Sequence, residues 1–259
     1  MSPAFPTTGC IPAPEAIAAR TRAWAAPLVR VVEPDLRALY IYGSALAPEF
    51  DAAKSDINVL VVVTSLPMRR LSDCAAAIAQ AEKREYRFAP VILTQHQITT
   101  SVDVFPIEFL DLTQRRALLE GTDVLSEVRL GRANLRHQCE YELRAQLVGL
   151  RRALLRYGAE PKAAGGLLAQ VAGSTATLCR ALLQLRGETP PESIAEVLTA
   201  VERLFGVRAD RLGAPSRARL EARGPMQETR LAPDGTAHLA EYIDELENLI
   251  AAVDAHPVA

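Results

Sequence analysis

The chain has 259 residues, 49% of them hydrophobic and 23% charged, with a net charge of -2 and a pI of about 6.1. That composition supports a packed core in one large domain or two modest ones, and excludes global disorder. The near-neutral balance excludes a general electrostatic pull toward nucleic acid or an anionic membrane.

Residues 1–13 are Pro-rich and lack a basic region followed by an apolar one, so no signal peptide is expected. Pro14 suits the first position of a helix to about Val32, with Ile17, Trp24, Leu28 and Val31 at helical spacing. Glu33-Pro34-Asp35 breaks it. Strands are predicted over Leu36–Tyr42 and Ile57–Val63, the latter apolar enough to be buried on both faces. Met68–Glu85 reads as a helix and Tyr86–Leu93 as a third strand, placed at an edge or a bulge by Pro90. A capped short helix is expected at Thr94–Gln97, a fourth strand over Val104–Leu112, and a turn with short extended flanks over Leu118–Leu125.

From about Leu130 the pattern becomes helical. Leu135, Cys139, Leu143, Leu147, Leu150 and Leu154 stripe one helix, and Leu168, Val171, Thr175, Leu178, Leu182 and Leu185 a second. Stripes at 194–204 and 239–253 mark two more, so an antiparallel bundle is expected. Gly158, Gly187 and Gly206 fall where helices should end. The Gly-, Pro- and Arg-rich stretch 206–236 reads as a loop with partial helix. No apolar run reads as long enough to cross a bilayer. The four cysteines form no CxxC pair and read as small buried hydrophobes in a reducing, cytoplasmic compartment.

Two motifs carry the chemistry. Leu39-Tyr-Ile-Tyr-Gly43-Ser44 ends one strand in Gly-Ser, and Ser55-Asp56-Ile57-Asn58 opens the next. Residues two apart on a strand share a face, so Asp56 and Asn58 point together. Gly43 would let a phosphate approach the backbone, Ser44 offers a hydroxyl, and a helix begun there would turn its first N–H groups toward the anion.

These motifs and the strand-rich first half resemble the polymerase-beta-like nucleotidyltransferase superfamily. The helical second half resembles the bundle that follows this domain in aminoglycoside nucleotidyltransferases. The runs Asp103-Val-Phe-Pro-Ile-Glu-Phe-Leu-Asp111, Leu119-Glu-Gly-Thr-Asp-Val-Leu125 and Leu135-Arg-His-Gln-Cys-Glu-Tyr-Glu-Leu143-Arg144 resemble a group of bacterial nucleotidyltransferase-domain proteins.

The resemblance implies an α+β fold. Residues 1–128 would form a nucleotidyltransferase-like domain with a mixed sheet and flanking helices, and residues 129–259 an antiparallel helical bundle. It implies a nucleoside triphosphate as ligand, with phosphate contacts at Gly43 and Ser44. Asp56 and Asn58 become the catalytic candidates and the ligands for Mg2+. Members usually carry Asp-x-Asp or Asp-x-Glu on the second strand, and a third carboxylate beside it. Here Asn58 is neutral, and the run Arg87-Phe-Ala-Pro-Val-Ile-Leu93 holds no acid. Glu108 is the nearest substitute as a metal ligand, followed by Glu49, Asp51, Asp103 and Asp111. Two Mg2+ ions need several negative ligands.

Two functions are therefore expected. One is an enzyme transferring a nucleotidyl group to a small hydroxyl-bearing acceptor, without a nameable general base. The other is a catalytically inactive homologue that senses nucleotide or docks a partner. Arg129, Arg132 and Arg136 open the bundle, and Arg136 is the further phosphate candidate. Arg132 and His137 have an acid–base spacing known from ribonuclease-like bundles, but do not share a helix face. The arginines at 208–230 lack the neighbouring aromatics a nucleic-acid contact would use. A homodimer is left open.

Overall fold

The computed structural model describes residues 5, 9–46, 50, 55–81, 87–157, 161–222 and 235–255. The chain forms two compact units, residues 3–131 and 132–259.

The first unit is built on a mixed four-stranded sheet. Its strands are β1 (Leu36–Tyr42), β2 (Ile57–Val63), β3 (Phe88–Thr94) and β4 (Arg116–Gly121), in the order β3-β2-β1-β4. β1 pairs antiparallel with both β2 and β4, while β2 and β3 run parallel. Alternation sends Leu39, Ile41, Val59, Val61 and Val63 to one face, where they meet Trp24, Leu28 and Val32 of α1 (Glu15–Val32) and Cys74 of α2 (Met68–Ala81). Leu60, Val62 and Tyr40 are equally buried, so the central strands are covered on both faces, as the apolar run predicts. Pro90 lacks an N–H to donate and sits on the edge strand β3. Thr94 caps α3 (Gln95–Ser101) in a reciprocal capping box with Gln97.

The expected strand over Val104–Leu112 is instead helical: α4 spans Pro106–Gln114. Pro106 occupies its first turn, where the missing N–H costs nothing. Ile107, Leu110 and Thr113 recur at i, i+3, i+6 and are buried, so the spacing that resembled alternation is helical. The fourth strand begins before the segment expected as a turn with short extended flanks over Leu118–Leu125 and takes in its first residues: β4 pairs with β1 from Tyr42↔Arg116 to Ala38↔Gly121. The helix expected over 68–85 is described to Ala81, and its last residues, with Tyr86, lie outside the described residues.

A charged cluster ties β4 to β1. Arg116 is fully buried and grips Asp123 with two parallel bonds, Nε–Oδ1 at 3.0 Å and Nη2–Oδ2 at 2.8 Å. The Tyr40 hydroxyl lies 3.0 Å from Asp123 Oδ1, and Arg116 also donates to the Thr113 carbonyl. Burial works to raise the Asp123 carboxyl, but the Arg116 bonds and charge outweigh it and hold the group below the usual carboxylate range. Burial, with the Asp123 charge behind it, pushes the Tyr40 phenol up and keeps it neutral.

The second unit is helical: α5 (Arg132–Tyr157), α6 (Pro161–Leu185), α7 (Ile194–Phe205), α8 (Ala209–Leu212), α9 (Ala214–Ala222) and α10 (Gly235–Ala255). Arg132 at the start of α5 donates to the Leu185 carbonyl at the end of α6, and Gln146 reaches Thr175 3.1 Å away near both midpoints, so the two helices are antiparallel. Arg136 bonds the Val253 carbonyl at 3.0 Å and Arg151 pairs with Glu247, which sets α10 antiparallel to α5 as well. Gly206 ends α7 at φ 70°. Gly158 lies outside the described residues.

The stretch 206–236, expected as a loop with partial helix, contains α8 and α9, with α9 packed on α6, and its residues 223–234 lie outside the described residues. Buried Glu245 anchors α8: it accepts the Arg208 N–H at 2.8 Å and lies 3.6 Å from Arg211. Residues 163–185 of α6 also correct the membrane expectation, being long and apolar enough to cross a bilayer by length and composition. The segment packs against α5, α7, α9 and α10 as the core helix of the bundle. Its Cys179 thiol, and Cys139 on α5, are pushed up to about 12 by burial and act as small core residues. Cys10, by contrast, is exposed.

Candidate functional site

The antiparallel register Tyr42↔Asn58 brings the end of β1 beside the start of β2, so Gly43 and Asn58 meet. Gly43 adopts φ 72° and donates its N–H to the Arg115 carbonyl at 2.9 Å. A Cβ on Gly43 would lie 3.3 Å from Asn58 Nδ2 and 3.6 Å from Asp111 Oδ2. Both side chains therefore converge on this glycine, and Asp111 arrives from α4. The carboxylate brought to the motif is Asp111, named in the sequence only among the lesser candidates. Its charge and, before it, burial push the Tyr42 phenol up. Glu108 is exposed in the first turn of the same helix, not on a strand. Gly43→Ala combines a strained positive φ with a tight contact. It is expected to lower stability by about 1–3 kcal/mol in denaturant unfolding.

Ser44 is exposed, but no α-helix begins at Gly-Ser among the described residues. Residues Gly43–Leu46 form a four-residue 3-10 turn, and the Gly43 N–H is already engaged with Arg115. Among the described residues the expected α-helical row of N–H groups facing a phosphate is not formed there.

Asp56 immediately precedes β2 and Arg87 immediately precedes β3. Because these strands are parallel, with Ile57 opposite Phe88, the two residues stand side by side. Arg87 Nε lies 2.9 Å from Asp56 Oδ1, in a pair with 65% and 49% of the respective side chains exposed. The third strand thus brings a cation to Asp56, where the resemblance implies an acid. The sequence gives no local signal for Arg87, because its place beside Asp56 depends on the parallel pairing of the two strands.

These residues do not fit a two-Mg2+ centre. Among the described residues no three His, Cys, Asp or Glu side chains come together as a metal-holding group. Asp56 is paired with Arg87, and Asn58 contributes no charge. Glu49 and Asp51 lie outside the described residues.

Arg136 belongs to the bundle's own structure. It pairs with Glu140 one turn on, and donates to the Val253 and Asp254 carbonyls at the end of α10. Arg132 likewise closes the end of α6, and Arg129 bonds the carbonyls of Ser126 and Val128. In the stretch after Gly206, Arg208 forms an exposed pair with Asp210, and Arg211 lies 3.6 Å from buried Glu245.

No family model matches the chain, and no curated protein matches it. Among solved structures it is similar to spectinomycin adenyltransferase AAD(9) from Enterococcus faecialis, determined with ATP and spectinomycin. The match has a TM-score of 0.54 at 15% identity, over 88% of this chain and 98% of that one. The chain thus has a nucleotidyltransferase-like α+β fold.

Proposed function

We propose that this protein binds a nucleoside triphosphate at the Gly43, Ser44 and Asn58 face and acts as a nucleotide-responsive binding protein rather than a two-metal transferase. The observation that carries the reading is the pairing of Asp56 by Arg87 beside a neutral Asn58, which leaves the motif without the charge that two Mg2+ ions require. The solved neighbour's ATP supports a nucleotide as the ligand class. The net charge of -2 favours a small molecule over nucleic acid, and we read the location as cytoplasmic.

The test is calorimetric titration of the full chain with each of the four ribonucleoside triphosphates. Saturable binding of at least one is expected, weakened in Ser44→Ala. No binding by any of them overturns the reading.

A second reading keeps transfer of a nucleotidyl group to a small hydroxyl-bearing acceptor. It is favoured by the Asp111 carboxylate that reaches Gly43 beside Asn58. It expects radiolabel from ATP to pass to an acceptor, and Asp111→Asn to abolish transfer while nucleotide still binds. Labelled product absent with every aminoglycoside and aminocyclitol tried would leave the binding reading alone.

A further inference from the structure

We infer that the Arg87 guanidinium is the phosphate-recognising group of this site, and that the nucleotide binds without a divalent cation. The inference rests on the nucleotide-binding reading above. A polyphosphate needs positive charge from somewhere, and metals supply it where several carboxylates hold them. Here the described carboxylates form no such set, and the positive charge is already built into the chain.

The geometry follows from the parallel β2–β3 pairing, which fixes Arg87 beside Asp56 at the opening of both strands. Asp56 approaches the guanidinium most closely at Nε, and the outer fork of the group is its two Nη donors. With 65% of the side chain exposed, that fork is accessible to two phosphate oxygens. Asp56 then acts as a positioning residue that holds the guanidinium and competes with phosphate for it. A divalent cation at the same place would meet one carboxylate already neutralised, with a like charge beside it.

Trp24 provides the readout. It is the chain's single tryptophan, and it stacks on Phe88, the residue after Arg87, with ring centroids 4.4 Å apart. The full chain is titrated with ATP in EDTA and in excess MgCl2, following Trp24 fluorescence and, separately, heat. Affinities in the two conditions are expected to agree within about threefold. Arg87→Ala is expected to weaken binding in EDTA by about tenfold or more, with Arg87→Lys between it and the wild type. Asp56→Asn is expected to tighten binding about threefold, because the competing carboxylate is gone. A metal site predicts the opposite sign for that variant. Binding that strengthens more than threefold with Mg2+, an Asp56→Asn variant that loses affinity, or an Arg87→Ala variant that binds like wild type each overturns this inference and leaves the nucleotide reading standing. No binding in either condition overturns both. The pair is largely exposed, so both substitutions are expected to leave the thermal unfolding midpoint within a few degrees of wild type.

Discussion

Asp123→Ala is expected to lower the stability of the first unit by about 3–5 kcal/mol, read as a fall in the urea midpoint at unchanged slope. The cost comes from what is left behind. Arg116 is fully buried, and without Asp123 it loses both carboxylate bonds that offset the burial of its charge. The Tyr40 hydroxyl loses its carboxylate acceptor in the same change. An exposed pair such as Arg203–Glu188 leaves no buried charge behind when it is broken and contributes little by comparison. An Asp123→Ala variant within about 1 kcal/mol of wild type would mean that water reaches Arg116, and that the pair is no cornerstone of the sheet.

The same carboxylate fixes a pH dependence. Its folded pKa lies below the ordinary value, so the unfolded chain takes up the proton first as pH falls. Stability from this pair is therefore complete at neutral pH. It begins to decline near the unfolded carboxylate value of about 4, and is lost as pH drops through the folded value. In Asp123→Asn that part of the acid sensitivity should disappear, making its stability flatter than wild type below about pH 4.

Gly121→Ala should cost about 2–5 kcal/mol, and it acts through backbone rather than side chains. Gly121 ends β4 at φ 86°, and a Cβ there would lie 2.1 Å from the Arg37 carbonyl oxygen of β1. That oxygen accepts the Thr122 N–H at 3.0 Å, so it cannot retreat without breaking the link between the strands. Thr122 and Asp123 follow directly, so moving Gly121 also pulls Asp123 away from Arg116. The Gly121→Ala and Asp123→Ala effects should therefore sum to more than the double variant loses, in a double-mutant cycle on urea midpoints. Simple additivity would show that the glycine only relieves a local clash.

The strands that the sequence reveals best are those whose pattern reflects their own burial. Leu36–Tyr42 and Ile57–Val63 are apolar because they occupy the centre of the sheet, and both boundaries match the structure. The bundle stripes on α5 and α6 are legible for the same reason: helical periodicity is written locally. The misreadings lie where short segments take their state from neighbours. Val104–Leu112 alternates well enough to suggest a strand, yet Pro106 opens a helix and β1 takes Arg116–Gly121 as its partner. β4 was disguised by a buried arginine and a terminal glycine, which make sense only once Asp123 and the Arg37 carbonyl are beside them.

By itself, the sequence determined the α+β class, the central strands, the helical second half and the motif Gly43-Ser44 with Asp56-x-Asn58. It also determined that the motif is short of negative charge. Only the tertiary structure decided which charges complete it. Strand pairing is a long-range choice, and it is the parallel register of β2 and β3 that sets Arg87 against Asp56. Helix packing is another, and it is α4 that carries Asp111, rather than Glu108, to Gly43 and Asn58. Residue types fix how much charge the chain holds, but only pairing between distant segments fixes where opposite charges meet.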